Sequence, residues 1–95
     1  MPAYLVAELE VTDPAGFEAY RKGVPATIAA HGGRYLARGG ALESLEGGWS
    51  PKRMVILEFP SLAQAKAWYT SPEYQELLAL RQRSSNSKVV LIEGL

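Results

Sequence analysis

The chain has 95 residues, of which 47% are hydrophobic and 21% are charged, an ordinary composition for one globular domain with one core. Ten basic and ten acidic side chains cancel, so the clustered positive charge that binds nucleic acid is not expected. The absence of cysteine excludes disulfides, thiolate catalysis, cysteine-ligated zinc and iron–sulfur clusters. The N-terminus lacks the basic start of a signal peptide, and no apolar run approaches the roughly 20 residues that span a bilayer. We therefore expect a cytosolic protein that contacts neither membranes nor nucleic acids.

The first third of the chain predicts a strand followed by a helix. Residues 3–11 place apolar side chains at every second position, which is typical of a strand. Asp13 then supplies a helix N-cap and Pro14 a first helical residue, so the helix is predicted to run to about Ala30.

Proline and glycine mark where this helix changes. Pro25 removes one internal hydrogen bond and predicts a kink or a break near residues 21–25. Gly32-Gly33 predicts the helix end, with one of the two glycines in the left-handed conformation.

The rest of the chain predicts two strands, a helical segment in two pieces, and a last strand. The pair Ser71-Pro72 interrupts the helical segment, and Ser71 is expected to cap the piece that follows. The predicted elements are a strand at 33–38, a loop at 41–52, a strand at 53–59, helices at about 62–69 and 73–83, a polar turn at 84–87 and a strand at 88–93.

The element order β-α-β-β-α-β predicts a single α+β domain over residues 1–95, a ferredoxin-like sandwich with two helices on one face of an antiparallel sheet. The last two strands are apolar on both faces: Met54 and Ile56 lie opposite to Val55 and Leu57, for example. A second copy of the chain is the expected cover for the free face, which predicts a homodimer. The alternative is that the loop at 41–52 folds back over that face.

Four segments of the chain resemble the domain of unknown function 1330 family (DUF1330), and together they cover nearly all of it: AYLVAELEVTDPAGFEAY, HGGRYLARGG, LEGGWSPKRMVILEFPS and AWYTSPEYQELLALR. The resemblance implies the fold of the dimeric α+β barrel superfamily. Related branches of that superfamily include cofactor-independent monooxygenases, muconolactone isomerases, haem-binding chlorite dismutases and stress-responsive proteins. Several of them hold their ligand between the sheet and the helices. The family itself has no established activity.

His31 is the only histidine, at the end of the first helix. It is a candidate general acid or base, because imidazole titrates near neutral pH. The alternative, which we favour, is a histidine that stabilises the negative end of the helix dipole. One imidazole cannot supply three ligands, so no metal site is predicted. Haem ligation by a single histidine stays open, although a chain of this length offers little room for a porphyrin.

Glu58 is a carboxylate in an otherwise apolar strand. Two interpretations are open: a proton acceptor in a pocket, or a structural ion pair with Arg34, Arg38 or Arg53. Glu8 is expected to share a face of the sheet with it.

Arg38 precedes Gly39-Gly40, and this segment could bind an anion through the guanidinium and exposed backbone N–H groups. The alternative is a simple strand end. Of the aromatic residues near the helix break, Trp68 is expected in the core, whereas Tyr69 and Tyr74 are candidate ligand-binding residues.

The leading functional hypothesis is therefore a homodimer that binds a small carboxylate or aromatic molecule between sheet and helices. Cofactor-independent isomerase or monooxygenase-like chemistry would use Glu58 and His31 as catalytic residues and Arg38, Tyr69 and Tyr74 as ligand-binding residues. No cofactor is predicted. The alternative is a non-catalytic dimeric scaffold or sensor, and fold alone does not decide between them.

Overall fold

The chain forms four strands and three helices, and the computed structural model describes all of residues 1–95. The elements are β1 (Ala3–Val11), α1 (Pro14–Ala30), β2 (Arg34–Arg38), β3 (Arg53–Phe59), α2 (Leu62–Tyr69), α3 (Pro72–Ser84) and β4 (Ser85–Glu93). The strands form one sheet in the order β2-β3-β1-β4, and each neighbouring pair is antiparallel. The predicted ferredoxin-like α+β fold is confirmed, with the second helical segment in two pieces.

The core lies between the helices and one face of the sheet, called here the inner face. Alternate side chains of a strand point to opposite faces, so β1 buries Ala3, Leu5, Ala7 and Leu9 on this side. The helices pack over these residues, and α1 contributes the buried side chains of Phe17, Val24 and Ile28. No helix is long and apolar enough to cross a membrane.

Helix α1 begins as predicted, because the Asp13 side chain accepts a hydrogen bond from the Gly16 N–H at 3.3 Å. The helix runs through Pro25 without a break, so a break near residues 21–25 is wrong. Arg21, whose carbonyl loses its usual partner to Pro25, is exposed, and water can satisfy that carbonyl. Gly32 has a φ of 76°, which confirms a left-handed glycine at the helix end.

The polar turn predicted at residues 84–87 does not exist. Helix α3 ends at Ser84 and β4 begins at the next residue. The serine hydroxyls instead donate to the last carbonyls of the helix: Ser84 Oγ lies 2.7 Å from Leu80 O, and Ser85 Oγ lies 2.7 Å from Arg81 O. The last carbonyl groups of a helix have no partner within it, and here the serine hydroxyls supply one. The chain therefore passes directly from helix to strand.

The break between α2 and α3 is confirmed, but Ser71 does not cap α3 through its side chain. Its hydroxyl donates backwards to the Trp68 carbonyl at 2.8 Å and so closes the end of α2. Pro72 starts α3, where its missing N–H has no intrahelical partner to lose.

The opposite side of the sheet, the outer face, is uncovered by any helix. Val90 and Ile92 of β4 are 62% and 58% exposed, although they are large apolar residues. The loop at 41–52 does not cover them. It approaches the sheet through Trp49, whose indole N–H donates to Glu8 Oε2 at 2.9 Å, while its Leu45 side chain is 87% exposed.

Candidate functional site

A cavity of about 50 Å³ lies between the inner face of the sheet and the helices. Eighteen residues line it, of which fourteen are hydrophobic and the other four are arginines. The arginines are Arg21, Arg38, Arg53 and Arg81. No carboxylate and no histidine is among the lining residues, so all the formal charge at the cavity is positive.

The cavity exists because β1 carries a small side chain at the centre of the sheet. Ala7 is paired with Val55 on β3 and with Val89 on β4, and all three line the cavity. Leu5 and Leu9 stand on either side of Ala7 on the same face. A row of alanine and valine between leucines leaves a depression beneath the helices that larger side chains would fill.

Aromatic rings form one wall of the cavity. The rings of Trp68 and Tyr74 lie 4.1 Å apart between centroids, and the Phe59 ring is tilted to that of Trp68 at 5.5 Å. The Trp68 indole N–H donates to Thr27 Oγ1 at 3.0 Å, so the ring is held in one orientation. Trp68 is only 2% exposed, which agrees with its expected place in the core.

Two tyrosine hydroxyls meet at this wall. Tyr20 Oη and Tyr74 Oη lie 2.9 Å apart, and either one can donate to the other. Burial raises the pKa of Tyr20 far above its ordinary value, and the neighbouring Tyr74 adds to the effect. Tyr20 is therefore a neutral phenol at physiological pH. Because one O–H suffices for the shared bond, the second hydroxyl proton can be donated to a ligand.

The arginines differ in what holds them. Arg21 is exposed, and its Nε and Nη2 donate to the Glu18 carboxylate at 3.1 and 3.0 Å. Arg81 is buried and donates through Nη1 to Ser87 Oγ. Arg38 lies over the ring of Tyr35, with its guanidinium carbon 4.5 Å from the centroid. Burial raises the pKa of Tyr35, and the hydrogen bond from Arg38 opposes this rise.

Arg53 has the least satisfied side chain of the four. Its Nε is buried and has no hydrogen-bond partner, and no other buried side-chain nitrogen or oxygen of the protein lacks one. The guanidinium carbon is 5.9 Å from the centre of the Phe17 ring. It also lies against Gly39, where a Cβ would stand 2.8 Å from Arg53 Nη1. Glycine suits this position because of its φ of 67°, and the missing Cβ leaves room for the guanidinium.

The structure separates the residues that the sequence singled out. Arg38, Tyr69 and Tyr74 line the cavity, whereas Glu58 and His31 do not. The roles predicted for all five residues stay predictions, but only the first three share a site.

Glu58 lies on the outer face of the sheet, paired in register with Tyr4. Its carboxylate accepts hydrogen bonds from Arg34, with Oε1 2.7 Å from both Nε and Nη2. Of the two interpretations left open, a proton acceptor in a pocket and a structural ion pair, this contact agrees with the ion pair. Glu8 shares the outer face as expected, but it pairs with Met54 at the other end of the ladder.

His31 is the C-cap of α1, which agrees with the favoured structural interpretation. Its Nδ1 lies 3.0 Å from the Thr27 carbonyl oxygen, and its Nε2 lies 3.8 Å from Glu73 Oε1. Because the imidazole is outside the cavity, it cannot ligate a haem bound there. No group of three or more His, Asp or Glu side chains is placed to hold a metal ion.

Sequence reasoning missed Tyr20 and Arg53 as cavity residues. Periodicity could have placed both residues at the core. Tyr20 lies three residues after the buried Phe17 on α1, and Arg53 lies two residues before Val55 on the inner face of β3. Arg81, in the last turn of α3, lines the cavity as well.

Comparison with known proteins places the chain in a family. Residues 2–95 match the family described as "Domain of unknown function (DUF1330)". The chain belongs to this family. No curated protein sequence matches it significantly.

Solved structures with the same fold are distant in sequence. A protein of unknown function from Rhodopseudomonas palustris is 18% identical, with a TM-score of 0.79 over 99% of this chain and 82% of that one. SnoaB, a cofactor-independent oxygenase from Streptomyces nogalater, is 16% identical, with a TM-score of 0.71 over 99% and 93%. A dimeric ferredoxin-like protein of unknown function from Thermobifida fusca is 19% identical, with a TM-score of 0.69 over 99% and 92%. At these identities the likeness extends to the fold alone.

Proposed function

We propose that this DUF1330 chain, as a single domain, binds a small carboxylate or aromatic molecule in the cavity between the sheet and the helices. The observation that carries the proposal is the lining of the cavity: an apolar and aromatic wall with a few convergent polar groups, which is the usual character of a small-molecule site. Arg38, Tyr69 and Tyr74 are the proposed ligand-binding residues. A cytosolic location belongs to the same proposal and rests on the sequence.

Cofactor-independent isomerase or oxygenase chemistry would extend this binding function. The shared fold with SnoaB supports it, at the level of fold only. The lining offers no carboxylate or imidazole as a general base, so Glu58 and His31 could act only after a rearrangement that brought them to the cavity. Binding is therefore the part of the proposal that the geometry supports best.

The second candidate is a non-catalytic dimeric scaffold or sensor. The ion pair between Glu58 and Arg34 favours it, because the one carboxylate proposed as a base is already engaged. In this case the cavity would be a consequence of packing, and the outer face of the sheet would carry the function.

A homodimer is proposed under either candidate. Val90 and Ile92 leave apolar surface exposed on the outer face, and burying such a side chain contributes about 1.5–3 kcal/mol. Solved relatives of the same fold from Thermobifida fusca and Bacteroides fragilis are described as dimeric.

The binding function is tested by titration of the protein with small carboxylic acids, their amides and neutral aromatics. Trp68 lines the cavity and reports occupancy by fluorescence, provided that exposed Trp49 is replaced in a Trp49→Phe background. Ala7→Leu in the same background fills the cavity and is expected to abolish the response while the circular dichroism spectrum is kept. If no compound changes the Trp68 signal or the melting temperature, the binding proposal fails and the scaffold candidate is favoured.

A further inference from the structure

The cavity has more positive charge than the protein around it can balance. The chain as a whole is neutral, yet four of its arginines line this one cavity and no acidic residue does. Of the four, only Arg21 has a carboxylate within 4 Å; the ion pairs of the protein involve Arg21, His31 and Arg34. Buried charges are ordinarily paired, since desolvation of an unpaired ion is costly. Arg81 is buried, Arg53 is half-buried and Arg38 is exposed, and none of the three has a carboxylate partner in the chain.

Arg53 shows most clearly where such a partner would bind. Its guanidinium carbon lies 5.9 Å from the centre of the Phe17 ring, and its terminal nitrogens lie beside Gly39. Its Nε is buried without a partner. The Nε edge of a guanidinium, with one terminal nitrogen, is the fork that holds a carboxylate through two parallel hydrogen bonds. The unused Nε donor of Arg53 lies below the surface, so a ligand carboxylate reaches it when the side chain shifts within the cavity, and the bond would satisfy the donor.

Arg38 brings a second positive charge to the same place. It is paired with Val55 across the β2–β3 ladder, and Arg53 lies two residues before Val55 on the same face. Arg38 also directly precedes Gly39, against which the Arg53 guanidinium packs. It rests on the Tyr35 ring, is exposed and has no carboxylate partner, so its guanidinium is available to a bound anion.

We propose that the ligand of this cavity is a small monocarboxylic acid whose carboxylate binds between Arg53 and Arg38. This inference rests on the proposed binding function and names the ligand class. The apolar part of the acid would lie against the aromatic wall near Tyr20 and Tyr74. A cavity of about 50 Å³ favours a short-chain acid, because a cavity that binds a benzene ring is about 150 Å³.

The test compares acids with their neutral amides, which have the same shape but no charge. Acetate, isobutyrate and benzoate are titrated beside acetamide, isobutyramide and benzamide at constant ionic strength, with Trp68 fluorescence and the melting temperature as readouts. We expect at least one acid to bind roughly tenfold or more tightly than its amide, because hydrogen bonds to charged groups are worth more than neutral ones.

Substitution of Arg53 separates binding from folding. Arg53→Met removes a half-buried cation whose buried Nε is unpaired, so the unliganded protein should be as stable as the parent or more stable, while acid binding weakens roughly tenfold or more. Arg38→Met should weaken acid binding in the same direction. Arg83→Met is the matched control: Arg83 is exposed, lies on α3 and does not line the cavity, so acid binding should be unchanged.

Each outcome is decisive. If acids and amides bind equally, or if Arg53→Met and Arg38→Met retain acid binding, the binding function stands and the carboxylate inference is overturned. If neither acids nor amides bind, both are overturned. Should Arg53→Met fail to fold, the acid-to-amide ratio and Arg38→Met still decide the inference.

Discussion

The hydroxyl pair of Tyr20 and Tyr74 has a consequence for stability at alkaline pH. Burial raises the pKa of Tyr20 above the value of about 10 that it has in the unfolded chain. The folded state therefore holds the phenolic proton more tightly than the unfolded state does. The resulting stabilisation is fully present below about pH 10 and is lost as the pH rises further.

Tyr20→Phe tests this directly. At neutral pH the variant should lose about 1 kcal/mol of unfolding free energy, because Tyr74 loses its partner. Above about pH 10, its free energy of unfolding should fall less steeply than that of the parent. Urea unfolding at a series of pH values measures both effects. Tyr4→Phe, on the outer face, is the control, and equal slopes for parent and Tyr20→Phe would contradict the prediction.

Gly33 tests the packing at the end of α1. A Cβ there would stand 2.5 Å from Phe59 Cε1 and 2.8 Å from Ile28 Cγ2, both in the core. Gly33→Ala should therefore reduce the free energy of unfolding by about 1–3 kcal/mol through overpacking. Gly40→Ala is the control, because no atom lies within 4 Å of that position and its φ is not positive. Equal midpoints in urea for the two variants would show that the core has room at Gly33.

At this scale, periodicity predicts which face a residue occupies but not which residues meet there. The alternation of β3 places Arg53 on the inner face with Val55 and Leu57. Its contact with Phe17 depends on how α1 lies across the sheet, which no local pattern specifies. For the same reason Glu58 looked like a pocket residue in sequence, although an exposed arginine on the neighbouring strand already binds it.

Among the elements, α1 depends for its start on its N-cap residue, Asp13. Asp13 accepts a hydrogen bond from the Gly16 N–H and lies two residues after the end of β1, so it fixes where the helix starts. Asp13→Ala should cost about 1 kcal/mol of unfolding free energy, whereas Asp13→Asn keeps an acceptor and should cost little. Thermal unfolding of the two variants checks this, and an equal loss in both would argue against a capping role.

Helix and strand positions were predictable from the sequence, but their junctions were less so. The start of α1 and the two-piece helical segment follow from Asp13-Pro14 and Ser71-Pro72, which are strong local signals. The run Ser84–Ser87 looked like a turn because serine is common in turns. Its hydroxyls in fact bond to helix carbonyls, and that depends on the neighbouring turn of α3 rather than on composition.

For the molecule as a whole, the exposed apolar residues of β4 predict self-association. Replacement of both Val90 and Ile92 by lysine should convert the proposed homodimer to a monomer that keeps its secondary structure, because charge is costly to bury at an interface. Sedimentation equilibrium of the parent and the double variant measures this. Ala26→Lys, at an exposed position of α1, should leave the dimer intact. A parent that sediments as a monomer would contradict the assembly proposed here.

The direct passage from α3 into β4 also limits how the length of this chain can change. Strand side chains alternate between faces, so one residue inserted between Ser84 and Ser85 would turn Val90 and Ile92 inward and Val89 and Leu91 outward. No loop is present there to absorb the extra residue. The segment at 41–52 has no such constraint, since it is exposed and belongs to no helix or strand. Insertions for labels or linkers should therefore be tolerated in that loop and should unfold the protein at the α3–β4 junction.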